Sequence, residues 1–122
     1  MRHDALTVLL IADPTETLPQ AGAEAEQLAA VLEGVAGVEV TLMGGKNIRK
    51  LPLLAALQDH DIVHFAGHSE YDPATPHKSG WRLHEGVLTA AELSKLSRPP
   101  LLVFSNSCQA GTTAAWEGGL SL

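Results

Sequence analysis

The sequence holds one cysteine, only eight basic residues, five aromatic ones and no long hydrophobic run. A single thiol cannot build an internal disulfide framework, so the chain is expected in a reducing compartment, with the cytoplasm as the default location. The eight Lys and Arg are scattered and outnumbered by fourteen Asp and Glu, for a formal charge of -6. That excludes the basic footprint of a nucleic-acid binder. The apolar run at residues 6–12 is preceded by Asp4 and closed by Asp13-Pro14, too short to span a membrane, and no small-residue cleavage site follows it. Neither internal repeats nor low-complexity segments occur.

What is present is a chain of 122 residues, 45% of them hydrophobic, enough for one core and one domain over 1–122. Residues 6–12 read as a strand covered on both faces in a parallel sheet. Leu28, Val31, Leu32 and Val35 fall at helical spacing and predict a helix over 23–33 that ends at Gly34. Residues 38–42 alternate apolar and polar, as in a half-covered edge strand, and Gly44-Gly45 turns the chain. A second helix is predicted over 50–58, with Pro52 in its first turn, and a third strand over 61–66. Residues 67–86 form a long excursion broken by Asp72-Pro73, Thr75-Pro76 and Ser79-Gly80, with a short hairpin near 81–83. Thr89 and Glu92 have capping-box spacing, which predicts a helix over 90–96 before the last strand, 101–105.

This order implies an α/β sheet with helices on both faces and strand order 2-1-3-4. Residues 101–104 are apolar on both faces, so the fourth strand is expected to lie inside a larger sheet, the domain being incomplete at its C-terminus. Its partner is then either the remainder of the domain or a second copy.

The chemistry gathers at two strand ends. His68 follows the third strand and Cys108 the fourth, and neighbouring parallel strands run about 4.8 Å apart with their C-terminal ends on one edge. An imidazole beside a thiol is the minimum for thiolate attack on a carbonyl, with the backbone N–H groups of Ser69 and Cys108 as oxyanion donors. A lone cysteine at a strand end equally suits a small buried residue. Trp81 either lines a substrate cleft or covers the sheet edge.

The segments His64-Phe65-Ala66-Gly67-His68, Tyr71-Asp72-Pro73, Ser79-Gly80, Leu88-Thr89-Ala90-Ala91-Glu92-Leu93 and Asn106-Ser107-Cys108-Gln109-Ala110-Gly111 resemble, in that order, the CHAT-domain family of bacterial caspase-like cysteine peptidases. The resemblance covers residues 61–111 and extends more loosely back to Leu6. It implies a caspase-like three-layer sandwich and endopeptidase activity on a protein or peptide substrate, with His68 as the catalytic histidine, Cys108 as the nucleophile and no cofactor. Asn106, Trp81 and Gln109 are the substrate-pocket candidates. Two departures stand out. Ser69 follows the histidine where the family often has Gly, and the family continues past the cysteine with further helices and strands where this sequence stops at Leu122. On specificity, Asn106 stands where metacaspases, relatives with a basic preference, carry Asp.

Three other readings carry less. His60, His64 and His68 are spaced at four, but on a strand His64 and His68 lie about 13 Å apart, too far to share a metal. Gly44-Gly45-Lys46 lacks the spacing of a phosphate loop. A non-catalytic, partner-binding caspase-like module is the alternative function.

Overall fold

In a computed structural model, which describes residues 5–107, the N-terminal apolar run is β1 (Leu6–Ala12). Its side chains alternate between two cores, as a strand covered on both faces requires. Leu9 and Ile11 enter a cluster with Leu53, Val63, Phe65 and Trp81, whereas Val8 and Leu10 pack with Ala29 on the opposite face.

Helix α1 (Pro19–Glu33) starts four residues before the expected boundary, because Pro19 sits in its first turn, where a missing N–H costs nothing. Its packed stripe is Ala25, Leu28, Ala29 and Leu32, the i, i+3, i+4, i+7 pattern of one helix face. Val31 lies off that stripe and Val35 beyond the helix end, and they are 67% and 46% exposed, which corrects the expectation that they face the core. Strand β2 (Val38–Gly44) is the half-covered edge that its alternation predicts, and Gly45, at φ 76, makes the turn.

Helix α2 (Lys50–Gln58) has the expected bounds and buries Leu53 and Leu57 on the face opposite α1. Strand β3 (Ile62–Gly67) follows. The long excursion is more ordered than its Pro and Gly content suggests. Strands β4 (Ser69–Glu70), β5 (Gly80–Arg82) and β6 (Val87–Thr89) form an antiparallel sheet of order β4-β5-β6, with one 3₁₀ turn at Pro76–Lys78. Gly80 is required at its place, since a Cβ there would meet the Leu88 carbonyl oxygen at 2.0 Å.

Helix α3 (Ala90–Leu93) is shorter than expected but carries the capping box. The Thr89 hydroxyl accepts the Glu92 N–H, and the Glu92 carboxylate accepts the Thr89 N–H. Strand β7 (Leu102–Ser107) completes a parallel sheet of order β2-β1-β3-β7, which is the expected 2-1-3-4. With α1 on one face and α2 and α3 on the other, this is the α/β sandwich of caspase-like proteins. Among the described residues β7 is an edge. Val103 is buried beneath the α2 side, whereas Phe104, on the α1 side, is 49% exposed.

One buried carboxylate sets the register. Asp61, 1% exposed, accepts hydrogen bonds from the Thr7 N–H and hydroxyl at 3.0 Å each. Its own N–H donates to the Thr7 carbonyl and hydroxyl, and its carbonyl accepts from Leu101 and Leu102. The starts of β1, β3 and β7 are thereby tied to one residue. Thr7→Val keeps the side-chain shape but removes a donor from this buried carboxylate, and is expected to cost about 1–3 kcal/mol. The measurement is the urea midpoint, which should fall without a change in m-value.

Candidate active site

The register brings the C-terminal ends of β1, β3 and β7 to one edge of the sheet. It pairs Gly67 with Ser107, and these residues directly precede His68 and Cys108 in the chain. Gly67 is buried where a Cβ would stand 3.0 Å from both the Phe65 ring and Pro14, so the backbone leading to His68 lies close against the loop that follows β1. Cys108 and Gln109 lie outside the described residues.

His68 is half-buried at the wall of a cavity of about 540 Å³. One side of that cavity is the loop after β1. Asp13, at φ 48, donates its N–H to the Ala66 carbonyl and accepts the Thr17 and Leu18 N–H groups on its carboxylate, at 2.9 Å each. These bonds, four and five residues along the chain, carry Thr17 over the end of β3, where its hydroxyl is 3.0 Å from His68 Nε2. Thr15 Oγ1 is 2.7 Å from Thr17 Oγ1.

The opposite wall belongs to the antiparallel sheet. The His68 carbonyl accepts the Arg82 N–H at 2.9 Å, Ser69 is buried in the pairing of β4 with β5, and Glu70 and Arg82 form an ion pair at the rim. His84 also lines the cavity, a position that its place in a broken, polar segment does not suggest. The sequence signal for the loop side was present in Asp13-Pro14 followed by two threonines. Nothing local pointed to Glu70, Arg82 and His84, because only the pairing of β4 with β5 gathers them.

Trp81 is not a pocket residue. Its indole is 1% exposed and stacks on Phe65, with ring centroids 4.6 Å apart and planes 5° from parallel, while Nε1 donates to Ser105 Oγ at 3.2 Å. Trp81 follows the buried Gly80 along β5 and presents its indole to the core, where the large aromatic packs on Phe65 of the main sheet. Asn106 is exposed, pairs with Ala66, and lines a separate cavity of about 350 Å³ with His64, Ala66 and Leu28 on the α1 side.

The three histidines spaced at four go to different places. The His60 ring bonds to the Ala56 carbonyl and the Thr41 hydroxyl, His64 faces α1, and His68 faces the 540 Å³ cavity. Among the described residues no group of three His, Cys, Asp or Glu could hold a metal ion, and no helix is long and apolar enough to cross a membrane.

The sequence model of the CHAT domain matches residues 2–121. This chain belongs to the CHAT-domain family. The match carries the resemblance beyond residues 61–111, to β1 and α1 as well as the two motif segments. No curated protein and no solved structure matches the chain.

One titrating group of this CHAT domain has a defined environment away from the His68 cavity. His64 Nδ1 is buried with no hydrogen-bond partner among the described residues, and burial pushes the His64 imidazole below its ordinary pKa of 6.5. The unfolded chain therefore binds a proton more readily than the folded one, and the stability tied to neutral His64, full above 6.5, is lost as pH falls below 6.5 and through the lowered folded-state value. Urea titrations between pH 7 and 5 should show a stability loss for the wild type that is smaller in His64→Gln.

Proposed function

We propose that this CHAT domain is a cysteine endopeptidase, with Cys108 as nucleophile and His68 as its base. The observation that carries the reading is the pairing of Gly67 with Ser107, which sets the two chain segments that continue into His68 and Cys108 side by side at the C-terminal edge of the sheet. The family match supports it. A thiol nucleophile also fits the reducing, cytoplasmic setting that a single cysteine suggests.

In this mechanism the thiol proton passes to the His68 imidazole, and the thiolate attacks the carbonyl carbon of a peptide bond. The carbonyl electron pair moves to oxygen, where the Ser69 and Cys108 N–H groups are the proposed donors. Collapse of the tetrahedral intermediate breaks the C–N bond, and the imidazolium gives its proton to the departing amine. Water then attacks the thioester, returns a proton through His68 and releases the acid with the thiol restored. The substrate is a protein or peptide. Asn106 and Gln109 remain its proposed contacts, and the neutral Asn106 side chain implies no strong demand for Arg or Lys at the cleaved bond.

Iodoacetamide labelling across pH tests this reading. Cys108 should react at pH 7 at least about tenfold faster than free cysteine, with a lowered thiol pKa, and His68→Ala should reduce the rate to that of an ordinary thiol. Wild-type protein should cleave members of a mixed peptide library that Cys108→Ala leaves intact. A Cys108 no more reactive than free cysteine would sink the peptidase reading.

The alternative, a caspase-like module that binds a partner without cleaving it, draws on the exposed Phe104 of β7, an edge strand among the described residues. Its signature is an unreactive Cys108 together with a dimeric solution mass that Phe104→Asp reduces to the monomer.

A further inference from the structure

A base that must take a proton from a thiol needs one ring nitrogen bare and the other held, since an imidazole that exchanges tautomers or rotates is in the productive state only part of the time. The His68 ring has one side-chain partner among the described residues, the Thr17 hydroxyl at 3.0 Å from Nε2. Nothing in the chain's linear order places these two together, as fifty-one residues separate them.

Thr17 is itself held. Its N–H is fixed on the Asp13 carboxylate, and its hydroxyl lies 2.7 Å from Thr15 Oγ1. When Thr17 donates its hydroxyl proton to Thr15, its lone pairs are left for His68. The chain then runs from His68 Nε2–H to Thr17 Oγ1, and from Thr17 O–H to Thr15 Oγ1. The Asp13 carboxylate is engaged by two backbone N–H groups, and the charged and titratable groups across the cavity are Glu70, Arg82 and His84, of which Glu70 and Arg82 neutralise each other.

We propose that Thr17 is the positioning residue of His68: its hydroxyl accepts the Nε2–H and fixes the tautomer in which Nδ1 is bare. The use of Nδ1 as the base toward the Cys108 thiol rests on the peptidase reading, whereas the tautomer itself does not. The proton taken from sulfur arrives at Nδ1, and the resulting imidazolium keeps its Nε2–H on Thr17. A neutral hydroxyl thus does the orienting that a carboxylate does in a Ser-His-Asp triad, without adding a negative charge beside the ring.

The test compares Thr17→Val, which keeps the shape and deletes the hydroxyl, with Thr17→Ser, which restores it. In the full chain labelled with ¹⁵N-histidine, with the signal assigned by its loss in His68→Ala, the wild type and Thr17→Ser should show predominantly the Nε2–H tautomer. Thr17→Val should show a mixture. The rate of Cys108 alkylation by iodoacetamide at pH 7 should fall roughly tenfold in Thr17→Val, less than the ~10²–10⁴ that general-base assistance contributes as a whole, because the imidazole is still present, and recover in Thr17→Ser. A His68 tautomer and an alkylation pH profile in Thr17→Val that match the wild type would overturn the assignment. If wild-type Cys108 reacts only as free cysteine while Thr17→Val still mixes the tautomers, the peptidase reading fails and the Thr17 assignment stands.

Discussion

The geometry of this protein depends on the register of three parallel strands, and the buried Asp61 fixes it. A carboxylate out of water is tolerated only when its hydrogen bonds are satisfied, and here donors come from Thr7 on β1 while the Asp61 backbone engages Thr7 and the start of β7. Parallel strands lack the tight turns that set register in hairpins, so it must come from side chains and packing. A slip of one residue at Asp61 would move Val63 and Phe65 from the α2 side to the α1 side. It would also separate Gly67 from Ser107.

Everything at the C-terminal edge inherits this alignment. Because β1 and β3 are level, the Asp13 N–H meets the Ala66 carbonyl, and the loop beyond it folds over the end of β3 to bring Thr17 to His68. From the other side the antiparallel sheet is anchored by Trp81, which stacks on Phe65 of the main sheet. That contact joins the two sheets into one core and fixes the wall made by Ser69, Glu70 and Arg82. The cavity is thus walled by one short loop and one small sheet, and most of its lining comes from outside the main sheet.

Much of this was legible in the residues. The continuous apolar character of Leu6 to Ala12 announced a strand covered on both faces, and the alternation of Val38 to Leu42 announced an edge. The capping pair Thr89 and Glu92 marked a helix start that the hydrogen bonds reproduce. Other signals pointed the wrong way for identifiable reasons. Val31 and Val35 matched a helical period, but the tighter stripe of Ala25 and Ala29 sets which face meets the sheet, since small side chains let a helix approach closely. In residues 67–86 the short hairpin near 81–83 was legible and corresponds to β5 and β6, whereas the rest read as loop because strands of two or three residues are too short for alternation to reveal. Trp81 read either as a cleft aromatic or as a cover for the sheet edge, and its depth could not be read because it follows from a stacking partner sixteen residues earlier.

The sequence by itself determined the α/β class, the strand order and the two motif segments that carry His68 and Cys108, because apolar period, turn chemistry and short-range motifs are local properties. Membership of the CHAT-domain family follows from the same linear information. Only the tertiary structure decided that Gly67 lies beside Ser107, that Trp81 belongs to the core, that Asn106 opens on the α1 side and that Thr17 touches His68. These are contacts between segments distant in the chain. They depend on how the sheets and loops pack together, and no local pattern of residues encodes that.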